Sequence, residues 1–265
     1  FIAFGKDNEI VVYNNRLSVI KNVILSGASP GGNYSVLGIS GDSEKIYIRT
    51  WNGFLTGGAG GIYEVTASSG ATQRLDIDES GNTFTYQGWS LDQDDFDITS
   101  DGTKAVFVLR DTQDSVSWGT QRTHIWLKDL SSGTVERIDY KSSLSEMGYS
   151  SAPRINSNGS KILFLSNMSL TDETTSDSNN IYLWEQGSGI TLINKQNDGT
   201  EITSNYGWHA DIDSSGNQVV FQTHEALVSS DTNGISDVYL KNLNSGAITK
   251  ISEGRNGGIY PELSQ

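Results

Sequence analysis

Asp97, Asp211 and Glu262 lie far apart in the chain, yet each directly precedes an aliphatic residue in a segment of one pattern: FDITSDG, ADIDSSG and PELSQ. Arg154 holds the same place in PRINSNG, and Gly38 holds it in LGISGD. If this register faces a shared axis, three carboxylates and one guanidinium converge on a narrow channel. Such a cluster can hold a cation, bind water or raise one carboxyl by like-charge repulsion. Two facing carboxylates are also what glycoside hydrolysis needs, and Asp97, Asp211 and Glu262 are the candidates for that chemistry. Arg154 equally allows them to settle as an inert ion network.

Ahead of the same segments stands a glycine with an aromatic residue, in GGNYSV, QGWSLD, MGYSSA, YGWHAD and GGIYPE. Tyr34, Trp89, Tyr149, Trp208 and Tyr260 are therefore expected to ring the mouth of the channel. There they either stack on a sugar ring or a partner's apolar side chain, or plug the gaps between neighbouring units. Arg154 and His209, the latter beside Trp208, complete the expected ligand-binding set. A separate candidate is DTNGISD, where Asp231, Asn233, Asp237 and the carbonyl of Ile235 offer oxygens of the kind calcium takes. The segment lacks the closing glutamate of a full calcium loop, and an Asx-turn explains it without metal. His124 and His224 stand apart, and the three histidines have no metal-ligand spacing.

The elements that must position these residues are written as repeats. GIYEVTASSGATQRLD, HIWLKDLSSGTVERID, NIYLWEQGSGITLINK and DVYLKNLNSGAITKIS are each two strands around a Ser-Gly turn, with Gly70, Gly133, Gly189 and Gly246 at equivalent places. Upstream of each lies another hairpin: LGISGDSEKIYIRT, FDITSDGTKAVFVL, PRINSNGSKILFLS and ADIDSSGNQVVFQT. One unit is thus four short antiparallel strands, a to d, which is the blade of a β-propeller. The ends of the chain complement each other. IYPELSQ reads as a strand a with nothing after it, and FIAFGKDNEIVVYNNRLSVI as strands b to d with nothing before them. Joined, they make a fifth blade and remove two sheet edges. The expectation is one domain over 1–265, with blades at about 1–33 plus 259–265, 34–88, 89–148, 149–207 and 208–258.

The stretch 94–265, and most clearly INKQNDGTEITSNYGWHADIDSSGNQVVFQTHEALVSSDTNGISDVYLKNLNSGAITKIS, resembles the bacterial TolB-like, WD-type propeller repeat. That repeat commonly reads as a Ser-x-Asp-Gly hairpin, a loop ending Asp-Thr-Asn-Gly, a strand and a Ser/Thr-Gly turn. The resemblance implies the propeller fold. It implies no particular activity, because propellers carry enzymes, receptors and scaffolds alike.

Composition narrows the function. The 265 residues carry 18 Lys+Arg against 32 Asp+Glu, a net charge of −14. Such a surface repels phosphate backbones and anionic membranes, which argues against nucleic acid as a partner. No apolar run approaches the roughly 18 residues of a membrane span, and no phosphate loop or nucleophile elbow is present. With no Cys in the chain, disulfides and thiol chemistry are out. Long b–c loops (LRDTQDSVSWGTQRT, NMSLTDETTSDSNN, HEALVSSDTNGIS) and d–a loops share one face, and function collects in such loops on a rigid frame. The expected protein is an exported, extracellular or periplasmic binding module, monomeric or part of a longer chain. It engages a glycan, peptide or partner protein and needs no cofactor, calcium being the one candidate. The alternatives are a glycoside-cleaving enzyme and a structural domain of a larger surface protein.

Overall fold

Alternating β-branched and aromatic residues between Gly-containing turns dictate short antiparallel strands, and those strands are what forms. The computed structural model describes residues 2–6, 9–13, 19–25, 34–50, 60–77, 95–110, 122–141, 148–174, 179–196, 199–202, 209–252 and 261–263. Among them there is no α-helix. The first sheet has three strands, β1 (Ile2–Lys6), β2 (Glu9–Tyr13) and β3 (Val19–Ile24). Four four-stranded sheets follow. They are β4 (Tyr34–Ile39), β5 (Lys45–Thr50), β6 (Gly61–Thr66) and β7 (Thr72–Arg74); then β8 (Phe96–Ile98), β9 (Lys104–Arg110), β10 (Thr123–Asp129) and β11 (Val135–Arg137). The last two are β12 (Ser150–Ile155), β13 (Lys161–Ser166), β14 (Asn180–Glu185) and β15 (Gly189–Leu192), and β16 (Ala210–Ile212), β17 (Gln218–Thr223), β18 (Asp237–Asn242) and β19 (Ile248–Lys250). Each is a simple antiparallel meander in chain order.

The sheets stand side by side, because no single sheet can bury its own faces. β1 lies against β4, β4 against β8, β8 against β12 and β12 against β16. Each junction is an apolar layer. Ile10 and Val23 meet Ile46 and Ile48; Tyr47 and Leu75 meet Phe96 and Phe107; Val106 and Ile138 meet Ile155 and Phe164; Leu163 and Ile193 meet Ile212 and Phe221. One register shows the logic of the repeat. Leu25, Leu75, Ile138 and Ile193 close the outer strands of the first four sheets and are 2–5% exposed beneath the next sheet. Ile251 holds that register in the fifth sheet and is 48% exposed. Among the described residues, no apolar cluster joins the fifth sheet to the first.

The a–b turns are tied as well. Lys45, Lys104 and Lys161 open their b strands, and each extends its ammonium to a glycine carbonyl in the next sheet: Gly102 at 3.2 Å, Gly159 at 3.5 Å and Gly216 at 3.0 Å. Those glycines sit at φ +66°, +68° and +71°, a conformation that L side chains resist. A Cβ at Gly216 would lie 2.9 Å from both Asn156 Nδ2 and Lys161 Cδ, whereas one at Gly246 (φ +73°) meets nothing within 4 Å. Gly216→Ala is therefore expected to cost about 2–3 kcal/mol, and Gly246→Ala only the backbone strain of about 1–2 kcal/mol. Urea denaturation of the two variants checks this, and equal losses would contradict it.

Candidate functional site

The inner strands of neighbouring sheets lie side by side but form no continuous sheet, so backbone N–H groups along them need acceptors from elsewhere. Asp97 supplies one. Its Oδ1 accepts the N–H of Ile98 at 2.8 Å, and its Oδ2 reaches across to accept the N–H of Ile155 on β12 at 2.8 Å. Asp211 repeats the device on β16, accepting from Ile212 at 2.8 Å and from Leu263 at 2.7 Å. Each carboxylate thus ties its strand to the residue after the next charged position, Arg154 in one case and Glu262 in the other. The 261–263 segment is thereby set beside β16. At the corresponding place in β4 stands Gly38, which offers no carboxylate to β8; its Cβ position lies 3.8 Å from Ile98 and Phe96, an ordinary contact.

The four charged groups influence one another. Burial pushes the Asp97 carboxyl up to about 6, against the pull of the Ile155 N–H, Arg154 and the Ile98 N–H, while the charge of Asp211 adds to the rise. Burial also raises Asp211, opposed by the Leu263 and Ile212 N–H groups and Arg154, with Glu262 pushing it further. Arg154 donates through Nη1 to the carbonyl of Pro153 at 3.0 Å. The register read from the sequence therefore brings Asp97, Arg154, Asp211 and Glu262 into one electrostatic neighbourhood. Within it, the two aspartates have their oxygens engaged by backbone donors.

The aromatic set divides. Tyr34 packs into the apolar layer between the first and second sheets, with its hydroxyl donating to the carbonyl of Glu9, so it plugs a junction. Tyr149 is half-buried at the start of β12, where its N–H donates to Asn167 Oδ1 at 2.7 Å and its carbonyl accepts from Ser166 Oγ at 3.1 Å. His209 is half-buried immediately before β16. Trp89, Trp208 and Tyr260 lie outside the described residues.

The DTNGISD oxygens are already in use. Lys250 Nζ lies 3.1 Å from Asp231 Oδ1 and 2.8 Å from Asp237 Oδ2, Tyr239 donates to Asp231 Oδ2, and Ser252 donates to Asp237 Oδ1 at 2.5 Å. Asn233 Oδ1 accepts the N–H of Ile235 at 3.0 Å, which is the Asx-turn alternative. A lysine ammonium thus occupies the position between the two carboxylates that a calcium ion would need. Among the described residues, no group of three or more His, Asp or Glu is placed to hold a metal.

Two features escaped the reading of the sequence. The first is the role of the aromatic register on strand c, which the repeat itself displays at Tyr63, Trp126, Tyr182 and Tyr239. Tyr182 is fully buried, and its hydroxyl donates to Met168 O at 2.8 Å and meets Leu170 N at 3.3 Å and Thr174 Oγ1 at 2.9 Å. Tyr239 does the same one sheet on, through Leu227 N at 3.4 Å and Asp231. Each tyrosine stacks on the b-strand phenylalanine opposite it, Phe164 at 5.8 Å and Phe221 at 6.3 Å. Both therefore pin a b–c loop from beneath. The second feature is spelled by RLD, RID, LIN and KIS at the ends of the outer strands. Asp76, Asn194 and Ser252 cap the N–H of Ile62, Ile181 and Val238 at 3.2, 2.9 and 3.1 Å, and Asp139 takes His124 Nδ1 at 3.1 Å.

These sheets recur in known structures. A protein assigned as TolB from Agrobacterium tumefaciens superposes with a TM-score of 0.53 at 19% identity, covering 94% of this chain and 75% of that one. The fold is a TolB-like β-propeller. The tricorn protease superposes with a TM-score of 0.59 at 10% identity over 94% of this chain, which corresponds to 25% of that much longer protein. No family model matches the sequence, and no curated protein does. At these identities the likeness is one of fold.

Proposed function

We propose that this propeller is a non-catalytic binding module of five blades that presents its b–c and d–a loops to a glycan, peptide or partner protein. The observation that carries the reading is the pinning of loops 167–174 and 224–236 by the buried hydroxyls of Tyr182 and Tyr239. A loop held from inside by hydrogen bonds meets a ligand without first losing conformational entropy, which is how a rigid frame turns loops into a recognition surface. The aspartates at the axis fit the same reading, since their oxygens serve neighbouring backbone donors. Ring closure is part of the proposal. The Leu263–Asp211 bond holds the C-terminal segment beside β16, which supports its serving as the inner strand that the three-stranded first sheet lacks, and closure would bury Ile251 as its four counterparts are buried. Export to the periplasm or beyond fits the acidic, cysteine-free composition and the likeness to a TolB structure, and no described helix is long and apolar enough to cross a membrane.

One observation favours a second reading: Asp97, pushed up to about 6 beside the charge of Asp211, has the proton affinity of a general acid in glycoside hydrolysis. A single experiment separates the two. The protein is screened on glycan and peptide arrays, and the best ligand is incubated with the native chain and with Asp97→Asn. Retained binding by both without turnover is expected. Hydrolysis by the native chain that Asp97→Asn abolishes would install the enzyme reading, and no ligand on either array would leave a purely structural domain.

A further inference from the structure

On the edge opposite the b–c loops, the junction of the second and third sheets opens into a cleft of about 450 Å³. One departure from the repeat and two polar side chains on the facing sheet shape it. Glu64 occupies the c-strand register that holds Leu127, Leu183 and Leu240 in the later sheets. Lys128 stands where the next sheet has Trp184 and the last has Lys241, and Thr134 where these have Ile190 and Ala247. At that next junction Trp184, 7% exposed, and Ile190 pack into the apolar layer and fill the space. Between the second and third sheets the same space is walled by Glu64, Gln73, Lys45, Lys128, Ser132 and Thr134, over a floor that includes Leu75.

The walls are fixed before any ligand arrives. Lys128 is 5% exposed, with Nζ donating to the carbonyls of Leu75 at 2.9 Å and Ile77 at 3.0 Å. Lys45 Nζ lies 3.4 Å from Glu64 Oε2 and donates to Gly102 O. The hydroxyls of Ser132 and Thr134 are hydrogen-bonded to each other at 2.9 Å on a turn whose Gly133 has nothing within 4 Å of a Cβ position. Two ammonium groups against one carboxylate give the cleft a net positive charge in a chain of net charge −14, so it selects anions from a surface that otherwise repels them. Hydroxyl, amide and carboxylate groups around the cations suit a ligand that carries hydroxyls beside its charge.

We infer that this cleft is a second binding site, specific for a small polyhydroxylated carboxylate of about monosaccharide size. It is independent of the loop face, because the turn at 130–134 leaves the sheet at the end away from the b–c loops.

The test titrates the native chain with gluconate, and separately with glucose, following the amide resonances of Gln73, Ser132, Gly133 and Thr134 by NMR. Gluconate is expected to shift these four in a saturable way, at least about tenfold more tightly than glucose, and salt is expected to weaken it. Thr134→Trp alters an exposed side chain and fills the cleft, so it should abolish the shifts while leaving the melting temperature unchanged. Glu64→Gln removes the one negative charge and should tighten gluconate by about fivefold, an effect no purely structural role would produce. Absence of saturable shifts at these residues, survival of binding in Thr134→Trp, equal affinity for glucose, or weaker gluconate binding by a folded Glu64→Gln would each overturn the assignment.

Discussion

Unfolding free energy is expected to fall by up to about 3 kcal/mol as pH rises from about 4 to about 6, against the usual acid-denaturation trend. The Asp97 carboxyl is raised from 3.8 to about 6 in the folded chain, chiefly by burial. Between those values the unfolded state has released its proton while the folded state keeps it. The folded state binds more protons, so stability drops with rising pH and levels off above about 6. Asp211 and Asp76, both raised and both chiefly by burial, act in the same direction. Asp101, Asp129, Asp213 and Asp237 are lowered; their contribution is complete above the ordinary carboxyl value and is lost only as pH falls below it. The two windows do not overlap, so the stability maximum belongs near pH 4. Urea denaturation at unit pH intervals measures this, and Asp97→Asn should flatten most of the slope. A native curve that is flat or rising between pH 4 and 6 would contradict the placement of Asp97.

Tyr182→Phe is expected to destabilise the chain by about 1–3 kcal/mol, a large loss for the removal of one oxygen atom. The ring remains on Phe164, so packing is kept. What is lost is the shared partner of Met168 O, Leu170 N and Thr174 Oγ1, which among the described residues keep only the Leu170–Met168 and Thr171–Thr174 bonds at 2.9 Å, and both Met168 and Leu170 are 4% exposed, beyond the easy reach of water. Faster amide exchange should be confined to 167–174, and ligand affinity at the loop face should fall through a faster off-rate as the loop loses its preset shape. A stable Tyr182→Phe with unchanged exchange in that loop would show that the hydroxyl is not its anchor, and would remove the main support for the binding reading.

Strand pattern was readable because period-two alternation and positive-φ turn glycines are local signals. The hairpins at Gly102, Gly159 and Gly216 form as their segments imply, and at the first copy Ser43 takes the same left-handed backbone at φ +58° where the others have glycine. The register of Asp97, Arg154, Asp211 and Glu262 was readable for the same reason, since a repeat places equivalent residues equivalently. What those carboxylates touch was not. The hydrogen bond from the Ile155 N–H to Asp97 joins residues 58 positions apart and depends on how two inner strands stagger, which no local pattern encodes. The tyrosine anchors were visible as an aromatic register, but their purpose lies in the hydroxyl and its loop partners. The cleft was latent in Glu64, the one charged residue at a register of leucines, and needed Lys128 and Thr134 from the next sheet to take shape.

Ring closure is the central proposal: five sheets gathered around one axis, with the C-terminal segment supplying the inner strand that the first sheet lacks. Small-angle X-ray scattering from the monomer tests this most directly. A closed ring of 265 residues predicts a radius of gyration of about 18 Å and a single symmetric distance distribution. A radius several ångströms larger, with a tail toward long distances, would mean an open row of sheets and would dissolve the shared neighbourhood of Asp97, Arg154, Asp211 and Glu262.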